Sequence, residues 1–290
     1  MASILDLVGN TPMAEIKKLN PNPGVRIFAK LEGNNPGGSV KDRPALNMIR
    51  SALERGDIHA GTRLVEATSG NTGIALAMIA RLFDLDIELV MPSSSTRERT
   101  LTMEAFGAKV TLLENIETCR DYAEEKGTRP GYFLLNQFAN PDNYFAHYKT
   151  TGPEIWKDTD GGITHFVSSM GTTGTIMGTS MFLKEKNPAI QIVGCQPTEE
   201  ASIPGIRRWP AAYLPKIFDP KRVDRIMDIT QKEAIDTTRL LAKAEGIFAG
   251  MSSGGAASAA IRLAGELTSG IIVFIACDRG DRYLSSDLFG

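Results

Sequence analysis

RLVEA (63–67), TSGNTG (68–73) and IALAMIARL (74–82) follow one another without a break, and this stretch decides the fold. The first five residues read as a short strand. The next six, Gly, Ser, Thr and Asn, cannot prolong it, and the last nine are strong helix formers. Strand, hydroxyl-rich turn and helix then recur on either side. Residues 87–91 are a strand closed by Pro92, 97–106 a helix that Gly107 ends, and 109–113 a strand. In the second half, 164–168 is a strand, Gly171-Thr-Thr-Gly174 a turn, 175–186 a helix and 190–194 a strand. A helix over 234–245 precedes the lead-in Gly246 to Gly255 and a helix from Ala256. Residues 271–276, IIVFIA, form a continuous apolar strand of the kind buried on both faces of a parallel sheet. Strands alternating with helices predict an α/β fold with open parallel sheets, and the two halves predict two domains with a cleft between them. Ligands in such sheets bind beyond the carboxyl ends of strands, where these turns lie.

The bulk properties exclude several functions. A chain of 290 residues with 42% hydrophobic and 23% charged residues is an ordinary globular sequence. A net charge of −2 gives no support for nucleic-acid or anionic-membrane binding. No apolar run approaches the roughly 18 residues of a membrane span, and no secretory signal opens the chain. Cys119, Cys195 and Cys277 are sparse and odd in number, which suits a reducing cytoplasm better than a disulfide scaffold. His59, His147 and His165 show no ligand spacing, so no metal site is expected.

Four segments carry chemistry. Asn34-Asn-Pro-Gly-Gly-Ser-Val-Lys-Asp-Arg43 is a loop running into a helix, which Ser39 or Asp42 can cap and which Pro44 restricts to a start near Lys41. A lysine there faces the positive end of a helix dipole, which favours the neutral amine that attacks an aldehyde. Taken alone it reads as a solvated surface lysine. In the second segment, hydroxyls of Thr68, Ser69 and Thr72 at a helix start make an anion site suited to a carboxylate or a phosphate. Gly171-Thr-Thr-Gly-Thr175 fits neither the P-loop nor the dinucleotide fingerprint, yet its backbone and three hydroxyls suffice for a phosphate monoester. Gly250-Met-Ser-Ser-Gly254 matches the nucleophile elbow formally, but no histidine follows Ser252, which sets a hydrolase aside.

In this order, and over essentially the whole chain from Gly9-Asn-Thr-Pro12 to Asp281-Arg-Tyr-Leu-Ser285, these segments resemble the cysteine synthase family of fold type II pyridoxal-phosphate enzymes. The resemblance implies a smaller, mobile N-terminal α/β domain over 36–145 and a larger one over 1–35 plus 146–290, with the active site in the cleft between them. It implies that Lys41 holds pyridoxal 5′-phosphate as a Schiff base and serves as general base. It further implies that Asn71 meets the cofactor's 3′ oxygen, that Gly171, Thr172, Thr173, Gly174 and Thr175 hold its phosphate, and that Ser252 meets its pyridine nitrogen. Thr68, Ser69, Thr72 and Gln137 would take the substrate carboxylate. The implied reaction is β-replacement, giving L-cysteine or S-sulfocysteine from O-acetyl-L-serine and sulfide or thiosulfate through an α-aminoacrylate, in a cytoplasmic homodimer.

Ala276-Cys-Asp-Arg-Gly-Asp-Arg-Tyr-Leu-Ser285 and Ile203-Pro-Gly-Ile-Arg-Arg-Trp-Pro210 resemble the B type of the family, which accepts thiosulfate. Arg207 or Arg208 would supply the positive charge that a dianion needs, with Cys277 and Asp278 shaping the pocket. The sequence departs from the family pattern at Pro44 and stops slightly short of a typical family C-terminus. Cystathionine β-synthase and serine or threonine dehydratase are the rivals of the same fold. The lack of a haem-binding or regulatory extension weighs against the first, and the Ser-Val-Lys-Asp-Arg and Arg-Arg-Trp segments against the second. A non-catalytic partner role conflicts with the lysine, both anion loops and Ser252 being present together.

Overall fold

The computed structural model describes residues 3–68 and 70–289. The chain begins with β1 (Met13–Ile16), β2 (Val25–Leu31), α1 (Asp42–Arg55), β3 (Arg63–Ala67) and α2 (Asn71–Leu82). β4 (Asp86–Pro92), α3 (Arg97–Ala105), β5 (Lys109–Leu113), α4 (Ile116–Gly127) and β6 (Tyr132–Leu134) follow, then α5 (Pro141–Lys149) and α6 (Thr151–Asp158). The rest comprises β7 (His165–Ser169), α7 (Gly174–Lys186), β8 (Gln191–Pro197), β9 (Arg225–Ile229), α8 (Gln231–Leu240), α9 (Met251–Glu266) and β10 (Gly270–Ala276).

Among the described residues the strands form two sheets, in the orders β1-β2-β10-β7-β8-β9 and β5-β4-β3-β6. All pairings are parallel except β1 with β2, so the expectation of wholly parallel sheets is corrected at one edge. A short connection joins β1 to β2, and such a link returns the chain antiparallel without a crossover. β10 lies in the middle of the larger sheet, and its side chains explain its lack of polar alternation. Ile272 and Phe274 pack with α8 and α9 residues such as Ala234 and Ala260, whereas Val273 and Ile275 face Ile176 and Leu183 of α7. Burying each contributes about 1.5–3 kcal/mol. The smaller sheet is likewise covered on both faces. Leu64 and Leu89 pack with α1 and α2, and Val65 and Val90 with Cys119 and Ala123 of α4.

The strands at 63–67 and 109–113 lie where the sequence places them, but the helix expected from Ala256 starts at Met251. Glycines discourage a helix locally; here packing overrides them, because a Cβ on Gly254 would lie 2.0 Å from Thr238 Oγ1 and 2.3 Å from the Ala234 carbonyl oxygen. The helix expected over 234–245 starts at Gln231, behind a capping box between Thr230 and Glu233, and ends in a π-turn over Leu241–Glu245.

Candidate active site

Lys41 is the N-cap residue of α1. Its loop is stitched to the segment after β10: the Val40 N–H donates to the Cys277 carbonyl at 2.8 Å, and Ser39 pairs with Asp278 as an isolated antiparallel bridge. The expected cap at Asp42 is not made. Its carboxylate turns back to accept the Gly37 N–H at 2.5 Å, and Ser39 Oγ accepts the Lys41 N–H at 3.2 Å. Burial pushes the Asp42 carboxyl up to about 7, against the pull of the Gly37 N–H and Arg282. Pro44 stands at the third helical position, where the missing N–H has no intrahelical role.

The turn after β3 forms the facing wall. Thr68 Oγ1 accepts the N–H groups of Gly70 at 3.2 Å and Gly73 at 3.1 Å. Thr72 donates to Gln137 Oε1 at 2.9 Å, and Gln137 Nε2 donates to the Ala67 carbonyl at 2.6 Å, so Gln137 braces this loop. Ser69 lies outside the described residues. Asn71 is held by the C-terminal segment: its Nδ2 donates to Asp278 Oδ2 at 2.7 Å, and Arg282 donates to its Oδ1 at 2.5 Å. One amide hydrogen of Asn71 remains to meet a ligand.

Gly171 to Thr175 open α7. Thr173 takes the left-handed conformation at φ 71°, and its buried Oγ1 has no hydrogen-bond partner among the described residues. At Gly174 a Cβ would lie 2.0 Å from Asn143 Oδ1. Thr175 Oγ1 contacts His147 Nε2 at 3.3 Å, and burial holds that imidazole well below its usual range, hence neutral. Asn143 reaches both the Thr172 hydroxyl at 3.3 Å and the Gln137 carbonyl at 2.7 Å, coupling the two loops.

Lys41, Thr68, Asn71, Thr72, Gln137, Gly171, Thr172, Thr175, Arg207, Ser252 and Cys277 line one cleft of about 410 Å³. Ser252 enters it from the first turn of α9, beside Gly205. Burial raises the Cys277 thiol to about 11, so it stays protonated. Of the expected residues, Thr173, Gly174, Asp278 and Arg208 are not in the wall; Thr173 and Gly174 lie behind Gly171, Thr172 and Thr175 in the same turn. Asp278 is buried behind the wall, taking the Asn71 amide and the Tyr283 hydroxyl at 2.7 Å. Arg208 is turned away because the Pro197 carbonyl and Asp228 of β9 satisfy its guanidinium at 2.9 and 2.7 Å. Arg207 has no ion-pair partner among the described residues, and burial together with the nearby Arg99 lowers the affinity of its guanidinium for its proton.

Arg99, Phe138, Trp209 and Tyr283 also line the cleft; Trp209 and Tyr283 lie in the two segments that resemble the B type, which give them no role, and nothing in the sequence singles out Arg99 at all. Arg99 belongs to Arg97-Glu-Arg99, which reads as a solvated helix face. Only the return of α3 brings it against Gly70 and over the Tyr283 ring, 5.3 Å from its centroid.

Behind Gln137 lies Glu66, fully buried. Its Oε1 accepts the Gln137 N–H at 3.2 Å, while Oε2 has no partner among the described residues. Burial raises its carboxyl from 4.5 to about 8, against the pull of the Gln137 and Asn136 N–H groups. The fold therefore holds a proton that the unfolded chain releases, and this group costs stability as pH rises from 4.5 to about 8. Calorimetry from about pH 5 to pH 8 should show a falling Tm that Glu66→Gln flattens; an unchanged slope would remove Glu66 as its source.

No group of three or more His, Cys, Asp or Glu among the described residues is arranged to hold a metal ion, and no helix there is long and apolar enough to cross a membrane. The family profile described as pyridoxal-phosphate dependent enzyme matches residues 4–278. The chain is 57% identical over 290 residues to cysteine synthase B of Pseudomonas aeruginosa, covering 99% of this chain and 97% of that one. It is 53% identical over 293 residues to cysteine synthase B of Escherichia coli, covering 100% and 97%. Its fold superposes on the cysteine synthase of Entamoeba histolytica with a TM-score of 0.93 at 37% identity, over 100% of this chain and 90% of that structure.

Proposed function

The chain belongs to the pyridoxal-phosphate dependent enzyme family, and from that premise we propose that it makes L-cysteine from O-acetyl-L-serine by β-replacement, with thiosulfate accepted beside sulfide. The observation that carries this reading is the company of Lys41: an anion cradle, a carboxylate loop and a neutral hydroxyl share its cleft. The residues fit the cofactor. The buried Thr173 hydroxyl lacks a partner among the described residues, as a phosphate cradle requires, and Gly174 leaves room for no side chain.

When bound, pyridoxal phosphate supplies the electron sink that lets a Cα proton and a β-substituent leave. Gly171 to Thr175 hold its phosphate, and Asn71 offers one amide hydrogen to its ring oxygen. Ser252 would present a neutral hydroxyl, not a carboxylate, to the ring nitrogen. Thr68, Thr72 and Gln137 take the substrate carboxylate, while Lys41 takes up the Cα proton and later returns it. Domain closure of the 36–145 unit over the substrate excludes water. Arg207, half-buried and without an ion-pair partner among the described residues, orients an anionic sulfur donor; Cys277 stays a neutral thiol in the wall. We extend the reading to a homodimer in a reducing cytoplasm, the latter supported by three free cysteines.

Steady-state kinetics with O-acetylserine and either sulfide or thiosulfate test this. Arg207→Ala is expected to lower kcat/KM for thiosulfate about 10- to 100-fold, the effect of losing a charge-assisted contact, and for sulfide no more than about threefold. Equal losses for both donors would defeat the assignment of Arg207.

A further inference from the structure

We propose that Arg120 is a positioning residue, a clamp that holds segment 205–213, and with it Arg207 and Trp209, against the cleft. The proposal rests on the reading of Arg207 as the contact for an anionic donor, and it adds the element that sets where that contact stands.

Arg120 belongs to α4, which packs on the four-stranded sheet, whereas the segment follows β8 of the six-stranded one. Its guanidinium carbon lies 4.3 Å from the ring centroid of Phe138, 5.2 Å from Tyr213 and 5.6 Å from Trp209. Its Nη1 also donates to the Tyr213 carbonyl at 2.9 Å. Phe138 and Trp209 meet edge to face at 5.5 Å, so the three rings form one aromatic box around the cation. Arg120 makes no carboxylate ion pair among the described residues, so ring faces and a carbonyl are what it engages. Ring quadrupoles attract a guanidinium more strongly as water is excluded, and a planar guanidinium stacks where an ammonium cannot.

The segment is also tied to the six-stranded side. Trp209 Nε1 donates to the Gly171 carbonyl at 2.7 Å, and the Arg207 N–H donates to the Met170 carbonyl at 2.9 Å. Those bonds fix its base beside the phosphate cradle. Arg120 grips its far end from the opposite sheet, so the place of Arg207 depends on both halves of the cleft. Glu117 of the same helix draws on the Arg207 charge, which adds an electrostatic tether.

The chain has two tryptophans, Trp156 and Trp209, so a Trp156→Phe background reports Trp209 alone. In that holoenzyme, Arg120→Met is expected to raise acrylamide quenching of Trp209 about threefold and the KM for thiosulfate about tenfold, with kcat within about twofold. Arg120→Lys should recover part of both effects, since it restores charge without the planar stack. Trp209 quenching unchanged by Arg120→Met overturns the clamp; Arg120→Gln gives the same reading if the Met variant does not fold. Raised quenching with equal loss for sulfide and thiosulfate leaves the clamp standing and removes the donor role of Arg207.

Discussion

Replacing Lys41 by alanine is expected to lower turnover at least about a thousandfold, because positioned general acid–base catalysis alone contributes about 10²–10⁴ and the covalent anchor goes with it. The fold gives a reason to expect this loss without collapse. Lys41 is an N-cap whose backbone, not its side chain, makes the local bonds: its N–H donates to Ser39 Oγ and its carbonyl accepts from Ala45. The Lys41→Ala protein should therefore keep its melting temperature and still bind pyridoxal phosphate non-covalently through residues 171–175. Borohydride reduction followed by peptide mass spectrometry separates the cases. The parent should carry the cofactor mass on the peptide containing Lys41, and the variant should carry none. Near-parental turnover by Lys41→Ala, or labelling at another lysine, would sink the assignment.

The second large effect is on stability. Two residues beyond Lys41, the buried Arg43 reaches Glu32 at 2.7 and 2.8 Å, Glu154 at 2.6 and 2.7 Å, and Thr11 at 3.1 Å. Lys30 extends the network to Glu154 at 3.0 Å and Asp158 at 2.8 Å. Burial pushes the Glu32 carboxyl up, but the charge and hydrogen bonds of Arg43 more than offset it and hold it below the usual range. Arg43→Met leaves that carboxylate enclosed without its guanidinium partner, held by the Thr11 and Asn35 hydrogen bonds, at an expected cost of about 3–5 kcal/mol. Urea unfolding of the apo proteins measures it. The double variant Arg43→Met with Glu32→Gln should lie well above the single one, because the stranded charge is gone. If the double variant loses as much as the two singles added together, the network is not coupled as described. Because it bolts the first turn of α1 to β2 and α6, the same network keeps Lys41 in register with the cleft.

Much of this molecule is legible along the chain. Residues 271–276 declare a buried strand by their apolar run, and 63–67 a short strand by standing before a turn and a helix. The turns at 68–73 and 171–175 offer hydroxyls and backbone N–H groups at a helix start, which suits an anion as well as it suits a plain helix cap. Lys41 and Ser252 are not singled out by their local patterns, since one reads alone as a surface lysine and the other as a formal nucleophile elbow; the resemblance over the whole chain is what points to them. What local pattern cannot report is which side chains meet across the two sheets. Arg99 and Arg120 lie in helices that read as solvated faces, and only the packing of α3 and α4 turns one toward Gly70 and the other into an aromatic box. Arg207 and Arg208 are indistinguishable as neighbours in sequence until Asp228 takes the second and leaves the first facing the cleft. Gly254 reads as a loop residue, yet the approach of α8 leaves room there for no side chain inside the helix. Sequence by itself determined the backbone alternation and the donor chemistry of each turn, because both follow from neighbouring residues. The tertiary structure decided partners and direction, because those depend on contacts between residues as far apart as Asn71 and Asp278, whose 2.7 Å hydrogen bond no local preference encodes.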